Sequence, residues 1–67
     1  MKQKIIQLAK QFGYEVFFER PNNLIRFKRD DKMIDVWYST MTIGIYENGT
    51  QTFYRDVEEN DLAEYFC

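Results

Sequence analysis

The chain has no histidine, one cysteine at its last position, one proline and three glycines in 67 residues. Without histidine there is no ready general base, and a zinc site has too few soft ligands. Cys67 alone forms no intrachain disulfide. The glycines fall at a helix end, inside a strand and in a turn, so no Gly-rich phosphate loop exists. Met1 to Phe12 lacks the uninterrupted apolar stretch and small-residue cleavage site of a secretory signal, and no run is long enough to span a bilayer. These absences predict a cytoplasmic chain with no membrane, metal or cofactor as partner. Catalysis is the weakest class: Ser39 and the threonines have no activating neighbour in view, and the carboxylate pairs Asp30-Asp31 and Glu58-Glu59 read as a turn and a helix start.

Apolar residues make up 45% of the chain and aromatics 18%, enough for one domain with a core but not for two. The organising stretch is Lys32 to Arg55, in which three alternating runs, Lys32 to Tyr38, Met41 to Tyr46 and Gln51 to Arg55, are joined by short turns. Asn48-Gly49 supplies the two positive φ angles of a type I′ turn, so Asn48-Gly49-Thr50 reads as a hairpin rather than a glycan site. That turn pairs Tyr46 with Gln51, Gly44 with Phe53 and Ile43 with Tyr54. A two-residue turn at Ser39-Thr40 pairs Val36 with Ile43, Ile34 with Ile45 and Trp37 with Thr42.

Upstream, Ile5, Leu8, Ala9 and Phe12 fall at helical spacing, and Gly13 follows as a C-cap. Tyr14 to Arg20 alternates and turns at Pro21-Asn22 into Asn23 to Arg29, which turns again at Asp30-Asp31. Pairing outward from these turns sets Val16 against Phe27 and Phe18 against Ile25, with Phe17 and Asp35 both beside Arg26 and Glu15 opposite Lys28. Opposite charges facing each other support this register independently of the apolar pattern. A last helix begins near Asp56 or Val57 and runs to Phe66, with Asp56 and Glu59 spaced as a capping box.

The predicted fold is therefore α+β: a two-layer domain with a five-stranded antiparallel meander and both terminal helices on one face. The covered face reads Tyr14, Val16, Phe18, Ile25, Phe27, Ile34, Val36, Tyr38, Met41, Ile43, Ile45 and Tyr54. The open face carries Phe17, Glu19, Leu24, Arg26, Lys28, Met33, Asp35, Trp37, Thr42, Gly44, Tyr46, Gln51, Phe53 and Arg55.

An open face this aromatic marks an interaction site. Its candidate binding residues are Phe17, Arg26, Lys28, Trp37, Tyr46, Phe53 and Arg55. Rings that stack on bases and cations that meet phosphates point first to single-stranded nucleic acid, RNA or DNA. The net charge of -2 and the enrichment of Trp, Tyr and Arg in protein hot spots leave a second reading open, a small viral or phage accessory protein that binds and inhibits a host protein. There the acidic helix would act as a decoy for a basic groove. A third reading is a homodimer through the same face, or a bent sheet that closes on itself. Charge is unevenly spread: eight of the nine Lys/Arg lie in residues 1–32 and seven of the eleven Asp/Glu in 33–67. Arg26, between Phe17 and Asp35, is expected to serve recognition more than stability.

Two segments resemble a known pattern. Trp37-Tyr38-Ser39-Thr40-Met41-Thr42-Ile43-Gly44, followed by Gly49-Thr50-Gln51-Thr52-Phe53-Tyr54-Arg55, is similar to small uncharacterised proteins of viruses and microbial eukaryotes. That pattern has an aromatic, Tyr/Trp, Ser/Thr-Thr, then Thr-Val-Gly, and later Gly-Lys-Thr-Gln-x-Phe-Arg. This chain has a shorter connecting loop and no Lys before Thr50. No activity is established for that group, so the resemblance implies no mechanism.

Overall fold

The computed structural model describes residues 1–67. The Ile5/Leu8/Ala9/Phe12 stripe forms helix α1, Lys2–Gln11, with Ile5 and Ala9 buried. It ends as its glycine predicts. Gly13 takes φ 87°, its N–H donates to the Lys10 carbonyl at 3.0 Å, and the Tyr14 N–H donates to the Ala9 carbonyl at 3.0 Å. This is the Schellman arrangement, which satisfies helix-end carbonyls that would otherwise be orphaned. Arg29 adds a third tie, its Nη1 donating to the Phe12 carbonyl at 2.6 Å.

Five antiparallel strands follow, β1 Glu15–Arg20, β2 Leu24–Arg29, β3 Lys32–Trp37, β4 Thr42–Glu47 and β5 Thr50–Tyr54, and they lie in the sheet in chain order. Asn48 and Gly49 both have positive φ, 55° and 77°, and the pairs Tyr46–Gln51, Gly44–Phe53 and Ile43–Tyr54 form as expected. Asn22 and Asp30 also take left-handed φ, each at a turn where Asn or Asp tolerates it. The β3–β4 connection spans residues 38–41 and is wider than a two-residue turn, with Met41 at φ 54° and the Thr40 N–H donating to the Trp37 carbonyl at 3.2 Å. The pairs Val36–Ile43, Ile34–Ile45 and Trp37–Thr42 are nevertheless as expected, because widening a hairpin loop evenly on both sides leaves the register unchanged.

Strand β1 departs from the expected register. Val16 pairs with Phe27 as expected, but Phe18 rather than Phe17 stands opposite Arg26, and Glu19 rather than Phe18 stands opposite Ile25. Phe17 is the extra, unpaired residue of a β-bulge, which inverts the facing of every residue after it. Phe18 thereby leaves the covered face, and Glu19 joins it, where its Oε1 lies 2.6 Å from Lys2 Nζ of α1.

The core sits beneath the three central strands. Ile25, Phe27, Ile34, Val36 and Ile43 meet Ile5 and Ala9 from α1, with Tyr14, Val57, Leu62 and Phe66 closing the cluster. Phe66 packs edge-on against both Tyr14 and Phe27, at ring-centroid distances of 5.4 and 5.5 Å. Trp37 lies on the face opposite Ile34 and Val36. The helices cover the edge strands only in part, α1 touching β1 through Lys2 and Glu19 and the C-terminal helix touching β5 through Tyr65 on Tyr54 at a ring-centroid distance of 5.0 Å, so Val16 and Tyr54, expected to be covered, are exposed.

The C-terminal helical segment starts later than the sequence suggests. Asp56 adopts φ 54° and forms no capping box; a short 3₁₀ turn, Glu59–Asp61, leads into α2, Leu62–Phe66. The left-handed turn at Asp56 carries the chain from β5 back to the core, where Val57 is buried and its N–H donates to the Met41 carbonyl at 2.9 Å. No helix is long and apolar enough to cross a membrane.

Candidate nucleic-acid interface

The face away from the helices is organised around an ion pair. Arg26 on β2 and Asp35 on β3 are register partners, and Arg26 donates from Nε to Oδ1 at 2.7 Å and from Nη2 to Oδ2 at 3.0 Å. Two parallel charge-assisted bonds hold the guanidinium flat against the sheet. The hydrogen bonds to Asp35, and then its charge, raise the Arg26 pKa above its ordinary value. Asp35 is only 6% exposed, although no second layer covers this face. Its burial revises the expectation that Arg26 matters little for stability, since Arg26 neutralises a carboxylate that water barely reaches.

Gly44 is the register partner of Asp35 on β4. A Cβ there would meet Phe53 Cε1 at 3.0 Å and Trp37 Cζ3 at 3.1 Å, so the two rings lie over the glycine, where a side chain would have to displace them. Their centroids are 6.0 Å apart at an interplanar angle of 46°. Hollows flank this pair. One, of about 240 Å³, is lined by Arg26, Met33, Asp35, Gly44, Tyr46 and Gln51. The other, of about 270 Å³, is lined by Trp37, Thr40, Thr42, Phe53 and Arg55.

Around this centre the rings are open to solvent: Phe17 is 56% exposed, Phe53 52%, Tyr46 48% and Phe18 45%. Lys28 places its Nζ 5.5 Å from the Phe17 ring centroid. The expected stacking partner of Phe17 was Arg26; the bulge gives it Lys28 instead, because Arg26 is drawn across to Asp35. The seven residues singled out from the sequence thus share one face in three groups: Phe17 with Lys28, Arg26 with Tyr46, and Trp37 with Phe53 and Arg55. Phe18 and Arg20 were missed, and both join the face through the bulge, Arg20 as the register partner of Leu24.

The face is not uniformly open. Leu24, Asp35 and Gly44 are buried by their neighbours, while Arg26, Met33, Trp37 and Thr42 are half-buried. With the Arg26–Asp35 pair set aside, the register leaves Arg20, Lys28 and Arg55 as cations against Glu15 as the lone carboxylate. A chain of net charge -2 therefore turns a positive face outward. The largest hollow, about 530 Å³, lies on the other side of the sheet between β4, β5 and α2, and its charged lining is mixed, with Lys32 against Glu47 and Glu64. Comparison with protein-family models, curated proteins and solved structures gives no match.

Proposed function

We propose that this chain is a non-catalytic binding module whose open sheet face takes single-stranded nucleic acid. The observation that carries the reading is the union of four solvent-exposed rings with three unpaired cations on one side of an otherwise acidic protein. Base stacking on such rings is tolerant of sequence, and the cations at the rim, Arg20, Lys28 and Arg55, meet the phosphates between stacked bases. The Arg26–Asp35 pair keeps the middle of the platform rigid, so fewer side chains must be ordered when a strand docks.

Titration of the protein with short DNA and RNA oligonucleotides, followed by Trp37 fluorescence, tests this. Trp37 touches the platform through Phe53, so a base stacked there alters its emission. Three phosphate contacts on a single strand correspond to a slope of log K against log salt of about -2. Absence of quenching at low salt, or affinity indifferent to salt, overturns the reading; the latter points to a protein partner on the same rings.

A further inference from the structure

We infer that the hollow above Arg26 is a base pocket that prefers guanine, an inference that rests on the platform reading above and gives it a specificity. Arg26 uses Nε and one N–H of Nη2 on Asp35, which leaves the Nη1/Nη2 edge of the guanidinium with two parallel donors. Asp35 is buried and takes the guanidinium through two bonds at once, at 2.7 and 3.0 Å, so the orientation of that free edge is fixed before any ligand arrives. Arg26 lines the hollow of about 240 Å³ together with Met33, Asp35, Tyr46 and Gln51, and Gly44 forms part of its lining beside the Trp37 and Phe53 rings that lie over it. A space of this size suits one flat heterocycle rather than a drug-sized ligand.

A two-donor fork seeks two adjacent acceptors. Guanine offers O6 and N7 side by side, whereas adenine sets its amino donor beside N7. Uracil separates its carbonyls with an N–H. Cytosine has adjacent acceptors in O2 and N3, but its single ring gives Tyr46 less area to stack on. Gln51 adds an amide at the rim, able to accept from the N–H groups of guanine that adenine lacks. The expected order is guanine, then cytosine, then adenine and uracil.

The test uses octanucleotides of uracil with one central guanine, cytosine or adenine, titrated against the full chain at fixed salt. The guanine oligonucleotide is expected to bind at least about tenfold more tightly than the adenine or all-uracil one, the smaller end of what one bidentate base contact discriminates. Arg26→Lys keeps a cation beside Asp35 but loses the fork, so the ratio of guanine to all-uracil affinity should collapse towards one; reading the ratio cancels any general loss of platform affinity. Gln51→Ala, at an exposed strand position, should narrow the preference with folding unaffected. If the all-uracil strand binds and guanine adds nothing, or if Arg26→Lys keeps the full preference, the pocket assignment is overturned and the platform reading survives. If no oligonucleotide binds, both fall together.

Discussion

The two faces of this sheet share five strands but become buried in different ways. On the helix side, Ile25, Phe27, Ile34, Val36 and Ile43 are fully buried by a second layer. On the other side no layer exists, yet Leu24, Asp35 and Gly44 are still shielded, by the large side chains of their own face. The first arrangement is driven by removing apolar surface from water and needs only approximate shape to succeed. The second includes a carboxylate, whose desolvation opposes folding and is offset only by its paired arginine. A polar pair free in solvent would have been simpler if the face served stability alone. The helix side holds the molecule together, and the open side holds a fixed arrangement of donors and rings.

Truncation on the helix side should do the most damage. Phe66 is fully buried and meets both Tyr14 and Phe27 edge-on, so Phe66→Ala removes the keystone between α2, the sheet and the start of β1. The expected loss is about 3–5 kcal/mol, comparable with the whole stability of a domain this small, so the variant should be largely unfolded by circular dichroism at room temperature. A cooperative melt close to wild type would mean that α2 is peripheral to the core.

The central pair on the open face comes next. Arg26→Ala leaves Asp35 buried without a counter-charge; because the Arg26 side chain is itself 38% exposed and water can reach the gap, the cost is set at about 2–3 kcal/mol, below that of breaking a fully buried pair. For a chain of this length that is a fall in Tm of roughly 10–20 °C. Replacing both partners, Arg26→Met with Asp35→Leu, should recover most of that stability while abolishing any preference among bases. A double variant as unstable as the single one would show that the pair is needed for folding and not for orientation.

Much of this was legible in the chain. The strand order followed from turn residues, Asn22, Asp30 and Asn48-Gly49, each of which takes the positive φ its type favours. The register of β2 to β5 followed from the two-residue period together with the facing of Arg26 and Asp35. The bulge was not legible, because Phe17 and Phe18 are both large and apolar, and alternation fits β1 with either ring inward. The start of the last helix was lost for a similar reason: Asp serves equally as an N-cap and as a left-handed turn residue, and only the need to bury Val57 decides. The depth of Asp35 could not be read at all. It depends on how Asp35 sits between its register partners Arg26 and Gly44, a matter of three strands meeting rather than of any local pattern.

The smallest expected effect on stability tests the bulge itself. Phe17 has no partner across the β1–β2 ladder, while Val16 and Phe18 face consecutive residues, Phe27 and Arg26. Deleting Phe17 would therefore let Glu15, Val16, Phe18, Glu19 and Arg20 keep their present partners in an unbroken ladder, with Glu19 still on the side of Lys2. What is lost is a ring 56% exposed and its contact with Lys28, and cation–π contact at an exposed site contributes only about 0.5–1 kcal/mol. Regularising the ladder offsets part of that, so the deletion variant should melt within a few degrees of wild type. On the open face the consequence is larger than the stability change: one of four exposed rings disappears, and stacking a base on it is worth about 1–3 kcal/mol, so all-uracil affinity should fall roughly five-fold or more. A variant that folds normally and binds as tightly as wild type would show that the bulge shapes the edge of the sheet without serving the platform.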